Sequence, residues 1–116
     1  MIKRSDEHKF ELAEKVFGEE GHVIFKRIIE TPQELYGKGR VFSVVTLEKD
    51  CGLGYHIHKG DGEYYYALSG EAEYNDNGSI TTLKAGDTAF CPDGEGHGIV
   101  NRNDEPFVFI GLIVYN

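Results

Sequence analysis

The sequence is short of basic residues, of cysteine and of long apolar runs. Only 12 residues are basic against 20 acidic ones, and the net charge of −8 opposes binding to nucleic acid or to an anionic membrane. Cys51 and Cys91 are too few and too far apart for a disulfide framework or a CxxC site, so we expect two free thiols. The longest apolar run, Phe107 to Tyr115, is far shorter than a bilayer span. We therefore expect no nucleic acid partner and no membrane partner.

The length of 116 residues suits one compact core and is too small for two ordinary domains. We therefore expect a single domain over residues 1–116. The first residues, Met1 to His8, contain no apolar segment of the kind that a secretory signal carries. We expect a cytoplasmic protein.

Glycine divides the chain into short runs rich in β-branched and aromatic residues. Ten of the 15 glycines lie between Gly52 and Gly98, which is the spacing of turns in a sandwich or barrel. The composition of the runs is typical of strands and predicts a mostly β fold. The predicted strands are Val23–Ile29, Val41–Leu47, Tyr55–His58, Glu63–Leu68, Glu71–Tyr74, Ile80–Leu83, Thr88–Cys91, Gly98–Val100 and Phe107–Tyr115.

One turn can be assigned from its residues. Asn77-Gly78 lies between two of the predicted strands, and this pair tolerates the positive φ angles of a type I′ hairpin turn. Glu71–Tyr74 and Ile80–Leu83 should therefore pair as a hairpin.

The residues before the first glycine fit two structures equally well. Ser5 is a suitable N-cap for a short helix, whose apolar residues at helical spacing would be Phe10, Ala13 and Phe17. The alternation of Phe10 and Leu12 fits an added strand just as well. Helix and strand both remain open here.

Two of the predicted strands are apolar on both faces. Phe107 to Val114 and Val41 to Leu47 must each be covered on both sides. A second sheet supplies one cover. The N-terminal arm or a second copy of the chain should supply the other.

The most informative feature is a set of three histidines and one carboxylate. Alternate residues of a strand share a face, so His56 and His58 would point to one spot, and Glu63 follows after a short loop. His97 can complete the set if a later strand folds back beside the first, as is routine in antiparallel barrels. Such donors suit Fe, Mn, Co, Ni or Zn and suit Ca or Mg poorly.

These residues fall in two motifs, and the chain resembles the cupins in both. The first cupin motif reads G-x5-H-x-H-x3–4-E-x6-G, and its leading glycine is Asp50 here. The residues that match it are His56, His58, Glu63 and Gly70. The second motif reads G-x5-P-x-G-x2-H-x3-N and is matched at every fixed position, by Gly86, Pro92, Gly94, His97 and Asn101.

The resemblance implies an all-β fold, a single cupin β-barrel that is also described as a jelly roll or double-stranded β-helix. Residues 1–22 would form a short N-terminal arm and residues 41–115 the barrel with both motifs. The implied metal ligands are His56, His58, Glu63 and His97. The implied cofactor is one divalent transition metal ion, which would be Fe, Mn, Ni, Co or Zn.

Strand parity and loop position point to further site residues. If Glu63 faces the metal, Tyr65 and Ala67 share its face, and Tyr64, Tyr66 and Leu68 lie outside. We predict Tyr65, Asp61 and Glu95 as candidate acid, base or positioning groups around the metal. Cys91 is either a pocket thiol or a small buried hydrophobic residue. The outward stripe of Tyr64, Tyr66 and Leu68 predicts a homodimer.

Two classes of function fit this site. Small cupins include dioxygenases, decarboxylases and sugar isomerases, so the resemblance implies metal-dependent chemistry on a small oxygen-rich molecule such as a carboxylate, a keto acid or a sugar derivative. The alternative is a cupin that binds or senses such a molecule without converting it. An acid or base within reach of the metal would favour an enzyme, and a pocket without one would favour binding.

Overall fold

The structure is a computed structural model that describes residues 1–116, and it consists almost entirely of strands. In chain order these are β1 (Phe10–Glu14), β2 (His22–Arg27), β3 (Gly39–Leu47), β4 (Cys51–Ile57), β5 (Asp61–Ser69), β6 (Glu71–Asp76), β7 (Ser79–Lys84), β8 (Thr88–Cys91), β9 (Gly96–Asn101) and β10 (Phe107–Tyr115). Three short 3-10 helices occupy Ser5–Glu7, Val16–Gly18 and Pro32–Leu35. None of them has the length and apolar composition that crossing a membrane requires. Each of the nine predicted strands overlaps an observed one, so the all-β prediction is confirmed.

The strands form two antiparallel sheets. One has six strands in the order β1-β2-β3-β10-β5-β8, and the other has four in the order β4-β9-β6-β7. The chain changes sheets between β3 and β4 and again between β4 and β5. As a consequence β4 and β9, which carry parts of the two motifs, are paired neighbours although about forty residues separate them. This is the jelly-roll architecture that the resemblance to the cupins implied.

The core lies between the two sheets and is built from alternate residues of each strand. The six-stranded sheet contributes Val45, Leu47, Phe107 and Phe109 among others, and the four-stranded sheet contributes Leu53, Ala72, Leu83 and Ile99. Burying a Val, Leu, Ile or Phe side chain contributes roughly 1.5–3 kcal/mol. The predicted parity of β5 is confirmed, because Tyr65 and Ala67 are buried whereas Tyr64, Tyr66 and Leu68 are exposed.

The predicted hairpin is present. β6 pairs with β7 in antiparallel register from Glu71↔Lys84 to Asp76↔Ser79. The two turn residues, Asn77 and Gly78, have φ angles of 50° and 99°. Both angles are positive, as a type I′ turn requires.

The open question before Gly18 is decided in favour of a strand. Residues Phe10–Glu14 pair with β2, and Leu12 lies opposite Ile24. The helix alternative is wrong: Ser5 begins a 3-10 helix of only three residues. The free edge of β2 offers this segment a row of backbone hydrogen-bond partners, and a helix would leave that edge unpaired.

Both cysteines are free and buried. Cys51 is the first residue of β4. A Cβ on Gly21 would come 2.7 Å from its sulfur, so the thiol packs tightly against the chain that leads into β2.

A buried amide holds the connection between β9 and β10. The Asn101 side chain is fully buried, and its Nδ2 donates to the carbonyls of Leu47 (2.9 Å) and Glu105 (2.8 Å). Its Oδ1 accepts from the backbone N–H of Asn103 at 2.9 Å. The last position of the second motif therefore fixes the turn that returns the chain to the six-stranded sheet.

The outer face of the six-stranded sheet is apolar over four strands and has no cover within the chain. The N-terminal arm extends this sheet at its edge instead of lying over it. Two rows of side chains cross the outer face, namely Val44-Ile110-Tyr66 and Phe42-Leu112-Tyr64-Phe90. We propose that a second copy of the chain covers this face.

Replacing Asn101 should destabilise the fold. We expect Asn101→Ala to lower the free energy of unfolding by about 2–4 kcal/mol, because the buried Leu47 carbonyl, the Glu105 carbonyl and the Asn103 N–H all lose their partner. Urea unfolding followed by circular dichroism measures the change. Asn103→Ala is the matched control, since its amide donates to the Glu71 carbonyl at an exposed position. Equal losses in the two variants would contradict this role of Asn101.

The uncovered sheet face predicts a dimer in solution. Sedimentation velocity at micromolar concentration should give the mass of two chains, with an interface near the ~800 Å² per partner of stable complexes. Ile110→Lys, in the middle of the face, should shift the protein to monomer, because a charge would be buried without a partner. Thr82→Lys on the exposed outer face of β7, opposite the exposed Glu73, should leave the dimer intact. A monomeric wild type would contradict the proposed interface.

Candidate metal centre

Four predicted ligands come together at one end of the space between the sheets. His56 on β4 lies directly opposite His97 on β9, and Glu63 reaches them from β5 in the other sheet. Of the two histidines in the first motif, only His56 lies within β4. His58 is the residue immediately after Ile57, where β4 ends. The candidate ligand atoms of these four residues all lie within 4.8 Å of one another.

The distances between these atoms suit a single metal ion. The Nε2 atom of His97 lies 3.1 Å from the Nε2 atoms of both His56 and His58. Glu63 Oε1 lies 3.3 Å from the Nε2 atoms of His58 and His97. Two nitrogens bound to one ion at ~2.1 Å and at right angles lie ~3.0 Å apart. The site can therefore hold a metal ion without rearrangement of its ligands.

The outer hydrogen bonds of the histidines orient their rings for metal binding. His56 Nδ1 lies 2.7 Å from the Gly54 carbonyl, and His58 Nδ1 lies 2.7 Å from Asp61 Oδ1. These oxygens only accept, so each Nδ1 carries the hydrogen and the neutral ring has its lone pair on Nε2. Two lone pairs and a carboxylate that face one another repel unless a cation lies between them. This donor set fits a divalent transition ion.

The third histidine is held by a residue that neither motif includes. His97 Nδ1 lies 2.8 Å from the hydroxyl of Tyr74 on β6, and both side chains are buried. Tyr74 appears in the sequence only as one residue of a predicted strand, so nothing in the pattern identifies this contact. Burial raises the pKa of Tyr74 far above its ordinary value, so the hydroxyl stays neutral.

The pKa values of the ligands differ in direction. Burial lowers the pKa of His56 and keeps its ring neutral. Burial alone would raise the pKa of Glu63, but close contact with the imidazoles of His58 and His97 lowers it. Close contact with Glu63, together with the hydrogen bond to Asp61, raises the pKa of His58. His56 and Glu63 are thus held in the forms that bind metal, and a proton competes with the metal at His58.

A cavity of about 390 Å³ opens from the site. His56, His58 and Glu63 lie in its wall, and apolar side chains make up half of its lining. Phe17, from the 3-10 helix Val16–Gly18, stacks on the His56 ring at 3.8 Å between ring centroids. The N-terminal arm therefore contributes directly to the wall of the cavity.

The charged residues of the cavity include three that the sequence did not reveal. The cationic side chains in the lining are those of Arg27, Arg40 and Lys59, and the carboxylates are those of Asp61 and Glu63. Arg27 and Arg40 lie outside both motifs, and no pattern in the sequence marks them as site residues. The cavity is thus rich in cationic groups although the protein as a whole carries a charge of −8.

The three predicted acid or base candidates lie in different surroundings. Asp61 is buried and lines the cavity, but its two oxygens are occupied by His58 and Arg40. Tyr65 is buried outside the cavity lining, its hydroxyl has no hydrogen-bond partner, and burial raises its pKa. Glu95 also lies outside the lining, and it contacts the motif through its carbonyl, which accepts from the N–H of His58 at 3.0 Å.

Of the two alternatives for Cys91, the structure favours the small buried residue. Its side chain is buried and does not line the cavity. Burial raises the pKa of the thiol to about 11, so the uncharged form predominates near neutral pH.

Comparison with known proteins agrees with this fold and site. The family model described as "Cupin domain" matches residues 43–115. The "Oxalate-binding protein" of Thermotoga maritima is 32% identical over 114 residues, which cover 98% of this chain and 93% of that protein. The "Oxalate decarboxylase OxdC" of Bacillus subtilis is 33% identical over 75 residues, which are 60% of this chain and only 20% of that enzyme.

A solved structure resembles the whole chain. The crystal structure of a "predicted oxalate decarboxylase" from Thermotoga maritima superposes with a TM-score of 0.94 at 32% identity, and the match covers 100% of both chains. The family match spans well over half of the chain and contains all four candidate ligands. The chain belongs to the cupin family.

Proposed function

We propose that this cupin uses one divalent transition metal ion to bind a small organic acid of the oxalate type. The observation that carries the proposal is that the three-histidine, one-glutamate cluster opens into a cavity with cationic side chains in its wall. We assign the metal to His56, His58, Glu63 and His97. When bound, such an ion would supply positive charge and open coordination positions for ligand oxygens.

The residues around the cluster prepare it for this role. Asp61 and the Gly54 carbonyl fix the rings of two of the histidines, and such outer contacts raise metal affinity by holding the ligands in place. Arg40 and Lys59 add positive charge at the cavity. A carboxylate ligand is drawn to this charge against the negative field of the protein surface.

The surroundings of the candidate acids and bases favour binding over conversion. Catalysis of a proton transfer needs an acid or base within hydrogen-bond reach of the ligand. Among Asp61, Tyr65 and Glu95, only Asp61 lines the cavity, and both of its oxygens are already engaged. The whole-length similarity to the oxalate-binding protein of Thermotoga maritima also supports binding without conversion.

Decarboxylation of oxalate is the second candidate function. Its support is the 33% identity to the oxalate decarboxylase of Bacillus subtilis over 75 residues. Dioxygenation and isomerisation, which the family likeness also implied, have no such support in this chain.

The metal assignment predicts the metal content of purified protein. Protein prepared without a polyhistidine tag should carry close to one transition metal ion per chain by elemental analysis. His56→Ala/His58→Ala should reduce that content at least tenfold, because two of the four donors are lost. His22→Ala is the control, since it removes a partly exposed imidazole that pairs with Glu48 outside the cluster. Full metal content in the double variant would refute the assignment.

The ligand assignment predicts that metal is required for oxalate binding. Protein loaded with Mn²⁺, Co²⁺, Ni²⁺ or Zn²⁺ should bind oxalate in calorimetry at least tenfold more tightly than protein stripped with a chelator. The loaded protein should also gain thermal stability on adding oxalate, because the ligand binds the folded state. Equal affinity with and without metal would contradict the proposal. Metal-dependent release of CO₂ and formate would show that the second candidate function is the correct one.

A further inference from the structure

Arg40 owes its position to an irregularity in the six-stranded sheet. On the β3–β10 pair, Val41 lies opposite Ile113, but the next residue of β10, Val114, lies opposite Gly39. Arg40 is thus the extra residue of a β-bulge, a device that commonly redirects a side chain next to a binding site. A Cβ on Gly39 would lie 2.3 Å from the Ile113 carbonyl oxygen, so only glycine allows this approach of the strands.

The Arg40 side chain lines the cavity, and only one of its three guanidinium nitrogens makes a hydrogen bond within the protein. Arg40 Nε donates to Asp61 Oδ2 at 3.0 Å, and Asp61 in turn holds His58. The two terminal nitrogens of Arg40 make no hydrogen bond within the protein. The side chain lines the cavity and is 46% exposed, so these donors are open to a ligand.

The second arginine of the cavity is already engaged. Arg27 donates to Glu11 at 2.9 Å and to the Ser43 hydroxyl at 3.4 Å, and its guanidinium lies over the Phe25 ring at 4.5 Å. Lys59 is exposed and makes no ion pair, but its ammonium offers no planar pair of donors. Arg40 is therefore the cavity's best-placed group for two-point contact with a carboxylate.

The charges around the cavity indicate the charge of the ligand. The positive groups facing the cavity are Arg40, Lys59 and a divalent ion in the cluster, and Glu11 offsets Arg27. The negative groups are Asp61 and Glu63. Two positive charges are left over, and a dianion neutralises them whereas a monoanion does not.

We propose that Arg40 is the anion anchor of this cavity, whose terminal guanidinium nitrogens bind the ligand carboxylate oxygens that the metal does not bind. Arg40 thereby makes the site select dicarboxylates over monocarboxylates that have the same metal-binding atoms. The inference rests on the proposed function, because it places Arg40 against the free oxygens of an acid that the metal already binds.

Oxalate and glycolate provide a matched pair of probes. Both offer the metal two oxygens on adjacent carbons, but oxalate leaves one carboxylate oxygen free on each carbon for the two terminal nitrogens of Arg40, whereas glycolate leaves only one free oxygen and carries one negative charge fewer. Calorimetry on Mn²⁺-loaded protein gives Kd for each ligand, and elemental analysis of the same samples gives the metal content. The variants are Arg40→Gln, which removes the charge, and Arg40→Lys, which keeps the charge but loses the planar fork. The control is Arg102→Gln, which removes an exposed arginine near Asp50.

Arg40→Gln should weaken oxalate binding by roughly tenfold or more, since it removes a charge-assisted contact, and should change glycolate binding less than about threefold. Arg40→Lys should lie between the wild type and Arg40→Gln. The metal content should stay near one ion per chain in both variants, and Arg102→Gln should match the wild type.

Two results would overturn the assignment of Arg40. Unchanged oxalate affinity in Arg40→Gln would show that its guanidinium does not bind the ligand. An equal loss of affinity for both ligands, or a loss of metal, would show that Arg40 acts only by holding Asp61 and His58 in place. If the Mn²⁺-loaded wild type binds neither ligand, the proposed function itself fails, and the role of Arg40 fails with it.

Discussion

The structure depends on bringing four electron-pair donors to one buried point. His56, His97 and the nearby His58 place their Nε2 atoms about as far apart as ligands of one ion, and Glu63 Oε1 joins them from the opposite sheet. Such an arrangement is repulsive without a cation, so rigid elements must hold it. The β4–β9 pairing fixes two of the rings against each other, and the packed core between the sheets fixes the distance to β5. The candidate metal site is thus a property of the whole sandwich and not of one loop.

A second layer of contacts connects the metal cluster to the cavity. Asp61 bridges His58 and Arg40, so one buried carboxylate orients a metal ligand and also positions a cation at the cavity mouth. The same engagement makes Asp61 a poor base, because its oxygens already accept hydrogen bonds. In the proposed function, this one residue would favour the binding of an anion and disfavour its conversion. Tyr74 orients His97 through a hydrogen bond in the same way, but it does not line the cavity.

The sequence predicts those features that depend on local chemistry and period. Alternation in β5 identifies its buried face, Asn77-Gly78 identifies a turn, and motif spacing identifies the four residues that come together. The features that it does not predict depend on contacts between distant strands. The bulge at Arg40 exists only in the register of β3 against β10, and Phe10–Glu14 becomes a strand because β2 offers it an edge. Neither register nor edge is visible in a linear pattern.

The division of the site between motif and non-motif residues bears on how cupins differ in function. The motif residues supply the four candidate metal ligands, and a fold alone does not determine which activity such a site serves. In this chain Phe17, Arg27 and Arg40, which contribute an apolar wall and cationic groups to the cavity, lie outside the two motifs. Phe17 lies in the N-terminal arm, and Arg27 is the last residue of β2. Because an ion with the same ligands can accept many oxygen-bearing molecules, discrimination must come from the groups that contact the rest of the ligand. The specificity of this cupin should therefore be sought in its arm, at the end of β2 and in the bulge of β3, and not in the four candidate metal ligands.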